Sequence, residues 1–188
     1  MVIYATKNEL RESILRKLRN QKEESRQQKS LLILSKFFLL PEVKKATTVL
    51  FYASFDGEVM TFEMIKKALG LGKKIGLSKV NRLKKILEPK VISSLERDLE
   101  KGQYGILEPI DGRDNALAAR DIDLVVVPGV AFDKQNHRLG RGAGYYDRFL
   151  AKLPSHIPTI GLAFDFQIVG QIPSIEAHDV KVTRVLSN

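Results

Sequence analysis

The 188-residue sequence contains no cysteine. This absence excludes a disulfide framework, a thiolate nucleophile and a zinc site built on cysteine ligands. No apolar run approaches the ~20 residues that a membrane-spanning helix needs, and the first residues, MVIYATKNELRES, are too polar and too acidic for a signal peptide. We therefore expect a cytoplasmic protein with no membrane partner.

The composition that remains is typical of a globular protein. Apolar residues make up 44% of the chain and charged residues 28%, with a formal net charge of +9. The length predicts a single domain over residues 1–188, long enough to bury a sizeable core. The positive balance favours anionic partners, which include nucleotides, polyanionic metabolites and nucleic acid.

The first forty residues have the pattern of two helices. Thr6 and Glu9 fit a capping box at the start of the first helix. Its apolar residues recur at helical spacing: Leu10, Ile14 and Leu18. A second helix is predicted over residues 23–39 and ends before Pro41. Its apolar positions are Leu31, Leu34 and Phe38.

From Thr47 onward, strand and helix patterns alternate along the chain. The predicted strands cover residues 47–55, 73–80, 123–128, 158–164 and 181–187. Thr61 is placed to cap a helix that runs through Leu69, and another helix extends from Gly144 to near Pro154. The alternation predicts an α/β fold, a three-layer domain with a mainly parallel central sheet and the N-terminal helical pair packed on it. Ligands of such sheets bind beyond the carboxyl ends of the strands.

The most informative segment is residues 123–150, DLVVVPGVAFDKQNHRLGRGAGYYDRFL. A buried strand and a polar loop precede three glycines at alternate positions, which lie beside Arg138 and Arg141. Glycines allow close backbone approach to a ligand, and guanidiniums and the start of a helix both attract phosphate. The spacing matches neither a P-loop nor a dinucleotide-binding fingerprint. The segment therefore predicts a nonstandard site for a nucleotide with a divalent metal.

The order PG-x-A-F-D…R-L-G-x-G-x-G-Y-Y-D-R, present from Pro128 to Arg148, resembles the 5-formyltetrahydrofolate cyclo-ligase family, also called 5,10-methenyltetrahydrofolate synthetases. Four shorter family motifs occur in the same order along nearly the whole chain: Lys7 with Arg11, Glu58 to Thr61, Gly105 to Pro109, and His178 to Val182. The resemblance implies cyclisation of 5-formyltetrahydrofolate to 5,10-methenyltetrahydrofolate through an N5-iminium phosphate. ATP and Mg²⁺ would be required, and ADP and phosphate released.

The resemblance also implies roles for individual residues. The residues expected to bind ATP are Lys7, Arg11, Arg138, Leu139, Gly140, Arg141, Gly142, Ala143, Gly144, Tyr145 and Tyr146. Those expected to bind the folate are Ala53, Glu58, Arg141, Gly142, Ala143, Gly144 and Tyr145. Arg141 and Tyr145 would be catalytic, and Asp147 and Asp179 would hold Mg²⁺. We expect a monomer that takes the folate with or without a polyglutamate tail.

Simpler explanations exist for several of these residues. The glycines could form a plain helix-entry turn, Asp147 a favourable first-turn charge, and Lys7 with Arg11 a solvated stripe. Two other functions also fit parts of the sequence. One is another enzyme on a similar scaffold, such as a sugar-phosphate isomerase or an acyl-CoA-transferring enzyme. The other is a basic nucleic-acid-binding module, although scattered basic residues and only 7% aromatics disfavour it.

Overall fold

The computed structural model of the chain describes residues 4–102, 105–111 and 115–188. Its α-helices are α1 (Lys7–Arg19), α2 (Glu23–Leu39), α3 (Pro41–Lys45), α4 (Phe62–Gly70) and α5 (Tyr145–Leu150). The strands in the first half are β1 (Thr48–Phe51), β2 (Lys74–Asn81), β3 (Ile86–Ile92), β4 (Leu99–Lys101) and β5 (Leu107–Pro109). Those in the second half are β6 (Leu124–Val127), β7 (Ala131–Asp133), β8 (Arg138–Leu139), β9 (Thr159–Ala163), β10 (Ile168–Val169) and β11 (Arg184–Ser187).

The central sheet has six strands in the order β11-β9-β6-β1-β2-β3. All its neighbours pair in parallel except β2 and β3, which pair antiparallel. Both faces are covered, because Leu124 and Val126 of β6 pack into one buried cluster while Val125 and Val127 pack into another. The first cluster holds α1, α2 and α4, and the second includes Leu150 of α5. The predicted α/β fold with a mainly parallel sheet is confirmed.

The N-terminal helices pack on the sheet as expected, although one apolar residue of α2 is exposed. The Thr6–Glu9 capping box is present, and the predicted apolar residues of α1 are buried. In α2 the fully buried positions are Ser30, Ile33 and Phe37, whereas Leu31 is 50% exposed. The buried stripe of α2 therefore includes a serine. Its hydroxyl can be buried because it accepts a hydrogen bond from the Met60 amide.

The structure corrects the role predicted for Thr61 and the length of α5. Thr61 precedes α4, but its hydroxyl donates to the Tyr52 carbonyl at 2.7 Å and accepts from the Ser54 amide instead of capping the helix. Because these bonds tie the helix start to the end of β1, Thr61 fixes the loop between them. Helix α5 ends at Leu150 and not near Pro154.

The sequence also left short strands unassigned. The loop predicted after Pro128 contains β7 and β8, which form a small sheet with β10. The stretch from 81 to 110 contains all of β3, β4 and β5, although Gln103 and Tyr104 lie outside the described residues. In the described part of the chain, no helix is long and apolar enough to span a bilayer.

Candidate active site

A cavity of about 480 Å³ opens at the carboxyl ends of β1 and β6. Tyr52 and Ala53 line it directly after β1, and Pro128 and Gly129 directly after β6. The other walls come from β2, β5, the glycine loop and α5. We call this the pterin-side cavity, because the family resemblance predicts that Ala53, Glu58 and Tyr145 in its lining bind the folate. Its volume and its largely apolar lining are typical of a small-molecule site.

A second cavity, of about 420 Å³, also borders the glycine loop. Its lining residues are Gly142, Ala143, Gly144, Asp147, Arg148, Ala151, Ala177, His178 and Val180. We call it the loop-side cavity. Ala143, Gly144 and Asp147 line both cavities. These residues therefore form a shared wall, at which groups bound in the two cavities could meet.

The glycine loop depends on glycine for two different reasons. Gly142 and Gly144 have φ values of +105° and +66°, in a region that residues with a Cβ rarely adopt. Gly140 instead leaves room for a cation, because a Cβ there would lie 2.7 Å from Nη1 of Arg138. The loop thus brings its backbone and the Arg138 side chain together at the edge of the pterin-side cavity.

Arg138 is a buried cation with one carboxylate partner. Its Nη2 donates to Asp147 at 2.7 Å, and its guanidinium lies 5.7 Å from the centre of the Tyr146 ring. The Nε of Arg138 is buried and has no acceptor among the residues that the structure describes. This is unusual, because buried donors normally have a hydrogen-bond partner.

Arg141 is held by carboxylates from the turn that follows β1. Its Nε and Nη2 donate to Glu58 at 3.3 and 3.2 Å, and its Nη1 donates to Asp56 at 2.9 Å. The guanidinium also lies 4.1 Å from the centre of the Phe55 ring. Burial raises the pKa of Glu58 to about 7, although Arg141 and the Phe55 amide both favour the ionised form.

The N-terminal helix α1 adds two cations, one of which contacts the glycine loop. Lys7 pairs with Asp179 at 2.6 Å, and Arg11 Nε donates to the Gly140 carbonyl at 2.9 Å. The structure therefore brings together the first and last of the predicted motifs. Neither Lys7 nor Arg11 lines either cavity, but Asp179 follows Ala177 and His178 of the loop-side wall.

The two tyrosines have different surroundings. Tyr145 lines the pterin-side cavity and lies under the Arg148 guanidinium, 5.2 Å from its ring centre. Tyr146 lines the same cavity, packs against both core clusters and shares a 2.9 Å hydrogen bond with the Ser78 hydroxyl. Burial raises the pKa of Tyr146. Tyr146 is thus the tyrosine anchored in the core.

Most of the residues predicted to bind ATP or the folate line one of the two cavities. Of the predicted ATP and folate residues, those that line a cavity are Ala53, Glu58, Arg138, Gly140, Arg141, Gly142, Ala143, Gly144, Tyr145 and Tyr146. Leu139 is buried in β8 and lines neither cavity. Its side chain packs in the core cluster beneath the loop.

The two aspartates predicted to hold Mg²⁺ are paired with different cations. Asp147 accepts from Arg138 and Asp179 from Lys7. Across residues 4–102, 105–111 and 115–188, no three His, Cys, Asp or Glu side chains form a cluster that could hold a metal. Asp147 nevertheless fits the needs of Mg²⁺, which binds proteins through one or two carboxylates and completes its shell with phosphate oxygens and water. Its carboxylate lines both cavities, where such oxygens would lie.

Several residues of the site carry no sequence signal that we used. Asp56 and Phe55 contact Arg141, Ser78 bonds Tyr146, and Arg148 joins the glycine loop to the β2–β3 turn by donating to the carbonyls of Ala143 and Lys85. Only Arg148 lay inside the predicted motif. Its position one turn into α5 was the one available signal.

The comparisons with known proteins agree with this geometry. Residues 3–188 match the model of the 5-formyltetrahydrofolate cyclo-ligase family. The chain belongs to this family. It is 32% identical to a 5-formyltetrahydrofolate cyclo-ligase of Mus musculus over 99% of this chain and 95% of the relative.

Two solved structures share the fold of this family member. One is the NMR structure of a 5,10-methenyltetrahydrofolate synthetase from Aquifex aeolicus, which is 34% identical with a TM-score of 0.82 over 96% of this chain and 88% of that one. The other is a 5,10-methenyltetrahydrofolate synthetase from Mycoplasma pneumoniae, which is 24% identical with a TM-score of 0.77 over 96% and 98% of the two chains. The second comparison supports the fold alone.

Proposed function

We propose that this family member catalyses the ATP- and Mg²⁺-dependent cyclisation of 5-formyltetrahydrofolate to 5,10-methenyltetrahydrofolate, with release of ADP and phosphate. The observation that carries the proposal is the shared wall. Ala143, Gly144 and Asp147 line both cavities, so a folate in one cavity and a phosphate chain in the other would meet at the glycine loop. Membership of the family favours this reaction over the isomerase and nucleic-acid alternatives.

The folate would occupy the pterin-side cavity. Its walls include Tyr52, Phe55, Leu87 and Tyr145, which suit a flat ring. Glu58 lies at the buried end of this cavity and is the carboxylate best placed to accept from the amino and ring N–H groups of a pterin. Because those donors bond to the ionised form, substrate binding should lower the pKa of Glu58 from about 7.

The phosphate chain would lie along the glycine loop. Arg138 and Arg141, which line the pterin-side cavity, would bind the phosphate oxygens nearest the folate, while Arg11 contacts the loop at Gly140 and Lys7 pairs with Asp179. ATP supplies the phosphoryl group that activates the formyl oxygen, and Mg²⁺ beside Asp147 would neutralise phosphate charge. Attack of the formyl oxygen on the γ-phosphate would give the N5-iminium phosphate. Attack of N10 on the activated carbon, with loss of the N10 proton and of phosphate, then closes the ring.

The residues of this chain contribute mainly position and charge to such a reaction. Phosphoryl transfer needs little covalent participation from protein, so catalysis depends on alignment of the two substrates and stabilisation of the charge that develops. Arg141 reaches the pterin-side cavity from the glycine loop, which suits a residue that contacts both substrates. Tyr145 lies beside it in the same wall and would stack on the folate.

The proposal can be tested by an absorbance assay with purified protein, 5-formyltetrahydrofolate and MgATP. The near-ultraviolet band of methenyltetrahydrofolate should grow only when ATP and Mg²⁺ are both present. Asp147→Ala should nearly abolish the signal, whereas Asp165→Ala, at an exposed aspartate outside both cavities, should not. A flat trace with retained ATP binding would point to a different acceptor. A flat trace without ATP binding would overturn the proposed nucleotide site.

A further inference from the structure

The turn at Asp56 and Gly57 is pressed directly against the end of helix α1. Asp56 and Gly57 both have positive φ values, +48° and +83°. A Cβ on Gly57 would lie 2.1 Å from the carbonyl oxygen of Leu18, which shows how closely the two backbones approach. Gln21 donates to the carbonyls of both Leu18 and Gly57 at 3.1 Å. These contacts fix the turn, and with it the direction of the Asp56 side chain.

The Asp56 carboxylate lies between two guanidiniums. Arg19 on α1 donates to it three times, at 2.9 to 3.1 Å, and Arg141 donates to its Oδ2 at 2.9 Å. The hydrogen bonds from Arg19 lower the pKa of Asp56, so the carboxylate stays ionised at neutral pH. Because Arg19 is 57% exposed, the pair adds little to stability.

Arg141 is constrained on all but its ligand side. Glu58 takes one edge of the guanidinium, Asp56 takes Nη1, and the Phe55 ring covers one face. Nη1 and Nη2 each retain a further N–H, since a guanidinium carries more donors than these three bonds use. A flexible arginine would lose much side-chain entropy on binding a ligand. Because the contacts with Glu58, Asp56 and Phe55 already restrict Arg141 in the free chain, less entropy is lost when the ligand binds.

We propose that Asp56 is a positioning residue, which holds the Arg141 guanidinium in the wall of the pterin-side cavity and is itself oriented by Arg19. The inference rests on the proposed function, because Arg141 acts on the substrates of that reaction. Asp56 needs no contact with either substrate. Glu58 alone would fix one edge of Arg141 but leave the plane free to rotate about it.

The test compares steady-state kinetics of the full chain and its Asp56→Asn variant in the absorbance assay. Loss of the charge should lower kcat by roughly 10- to 100-fold, as expected for a misplaced catalytic group. The KM for ATP should change by less than about 3-fold, and the melting temperature by less than about 3 °C. Arg19→Ala, which leaves Asp56 charged but unsupported, should give a smaller fall in kcat. Asp165→Asn removes a comparable ion pair with Lys29 and should leave kcat unchanged.

A double-mutant cycle separates positioning from a general structural role. In an Arg141→Lys background, Asp56→Asn should cost less than about 3-fold more in kcat, because the group that it positions is already altered. The inference would be overturned, and the proposed function left standing, if Asp56→Asn lowered kcat by the same factor in the wild-type and Arg141→Lys backgrounds. A fully active Asp56→Asn variant beside an active wild type would have the same meaning. A large fall in the melting temperatures of both single variants, Asp56→Asn and Arg19→Ala, would also overturn the inference. An inactive wild type would overturn the proposed function and this inference with it.

Discussion

Glu58→Gln should remove a pH dependence from the stability of the chain. Glu58 is 6% exposed, and its nearest charged groups are Arg141, which favours its ionised form, and Asp56, which opposes it. The phenols of Tyr52 and Tyr146 are the other titratable groups close to it, and burial raises the pKa of both. Neither phenol titrates near neutral pH, so the carboxyl of Glu58 dominates this part of the site.

The sign follows from the two protonation states. The pKa of Glu58 is about 7 in the folded chain against 4.5 for the ordinary side chain, so the folded chain holds this proton more tightly. Between those pH values the folded state binds more protons than the unfolded state, and stability falls as pH rises. The fall ends above about pH 7, where both states are ionised. The gap corresponds to about 3 kcal/mol in the free energy of unfolding.

Urea unfolding of wild type and Glu58→Gln at pH 5, 6, 7 and 8 measures this difference. Glutamine keeps the shape and an acceptor for Arg141 but carries no titrating proton. The free energy of unfolding of the variant, taken relative to that of wild type, should rise by up to about 3 kcal/mol from pH 5 to pH 8. Glu63→Gln on α4, an exposed carboxylate, is the matched control and should run parallel to wild type. Parallel curves for Glu58→Gln would refute the reasoning, because Glu58 would then be ionised throughout this range.

Three further predictions test other parts of the structure. Asp147→Asn should raise the Mg²⁺ concentration for half-maximal rate by at least about 10-fold, and an unchanged Mg²⁺ titration would argue against metal binding there. Gly57→Ala should destabilise the chain by more than about 3 kcal/mol in urea unfolding, since its Cβ would meet the Leu18 carbonyl, whereas Gly72→Ala, with positive φ but open space, should cost about 1 kcal/mol. Thr61→Val should have a free energy of unfolding about 1–3 kcal/mol lower than Thr61→Ser in the same assay, because the buried Tyr52 carbonyl loses its donor. Equal stability of the two variants would contradict this.

The main elements of the fold could be predicted because their signals are local. The strands β1, β6 and β9 are short apolar runs buried on both faces, and α1 carries a cap and a regular apolar stripe. Strands β2 and β3 are joined by the turn NRLKK, which lacks a glycine. Because the sequence has no typical hairpin turn there, it gave no clear signal for β3. Strands β7, β8 and β10 have two or three residues each, too few for a period. The single-domain, monomer and cytoplasm predictions stay predictions.

The position of the candidate site could be predicted, but its electrostatic partners could not. The three glycines and the strand before them indicated a loop at the sheet edge, and the structure has two cavities that border it. The partner of Lys7 lies 172 residues away at Asp179, and Arg141 pairs with carboxylates more than eighty residues earlier in the chain. No local pattern encodes such pairs, because they depend on how the α/β order brings distant loops to one edge. Asp56 was missed for this reason.

The pairing of the predicted phosphate-binding cations has a consequence for ligand binding. Each is engaged in the free chain: Lys7 with Asp179, Arg11 with the Gly140 carbonyl, Arg138 with Asp147, and Arg141 with Asp56 and Glu58. Where a phosphate displaces one of these contacts, its binding energy is the difference between two sets of charge-assisted bonds. Arg138 is buried, and losing the Asp147 carboxylate without replacement would be costly. If a metal took Asp147 while a phosphate took Arg138, both charges would stay compensated, so the proposed function predicts that the metal and the nucleotide bind together.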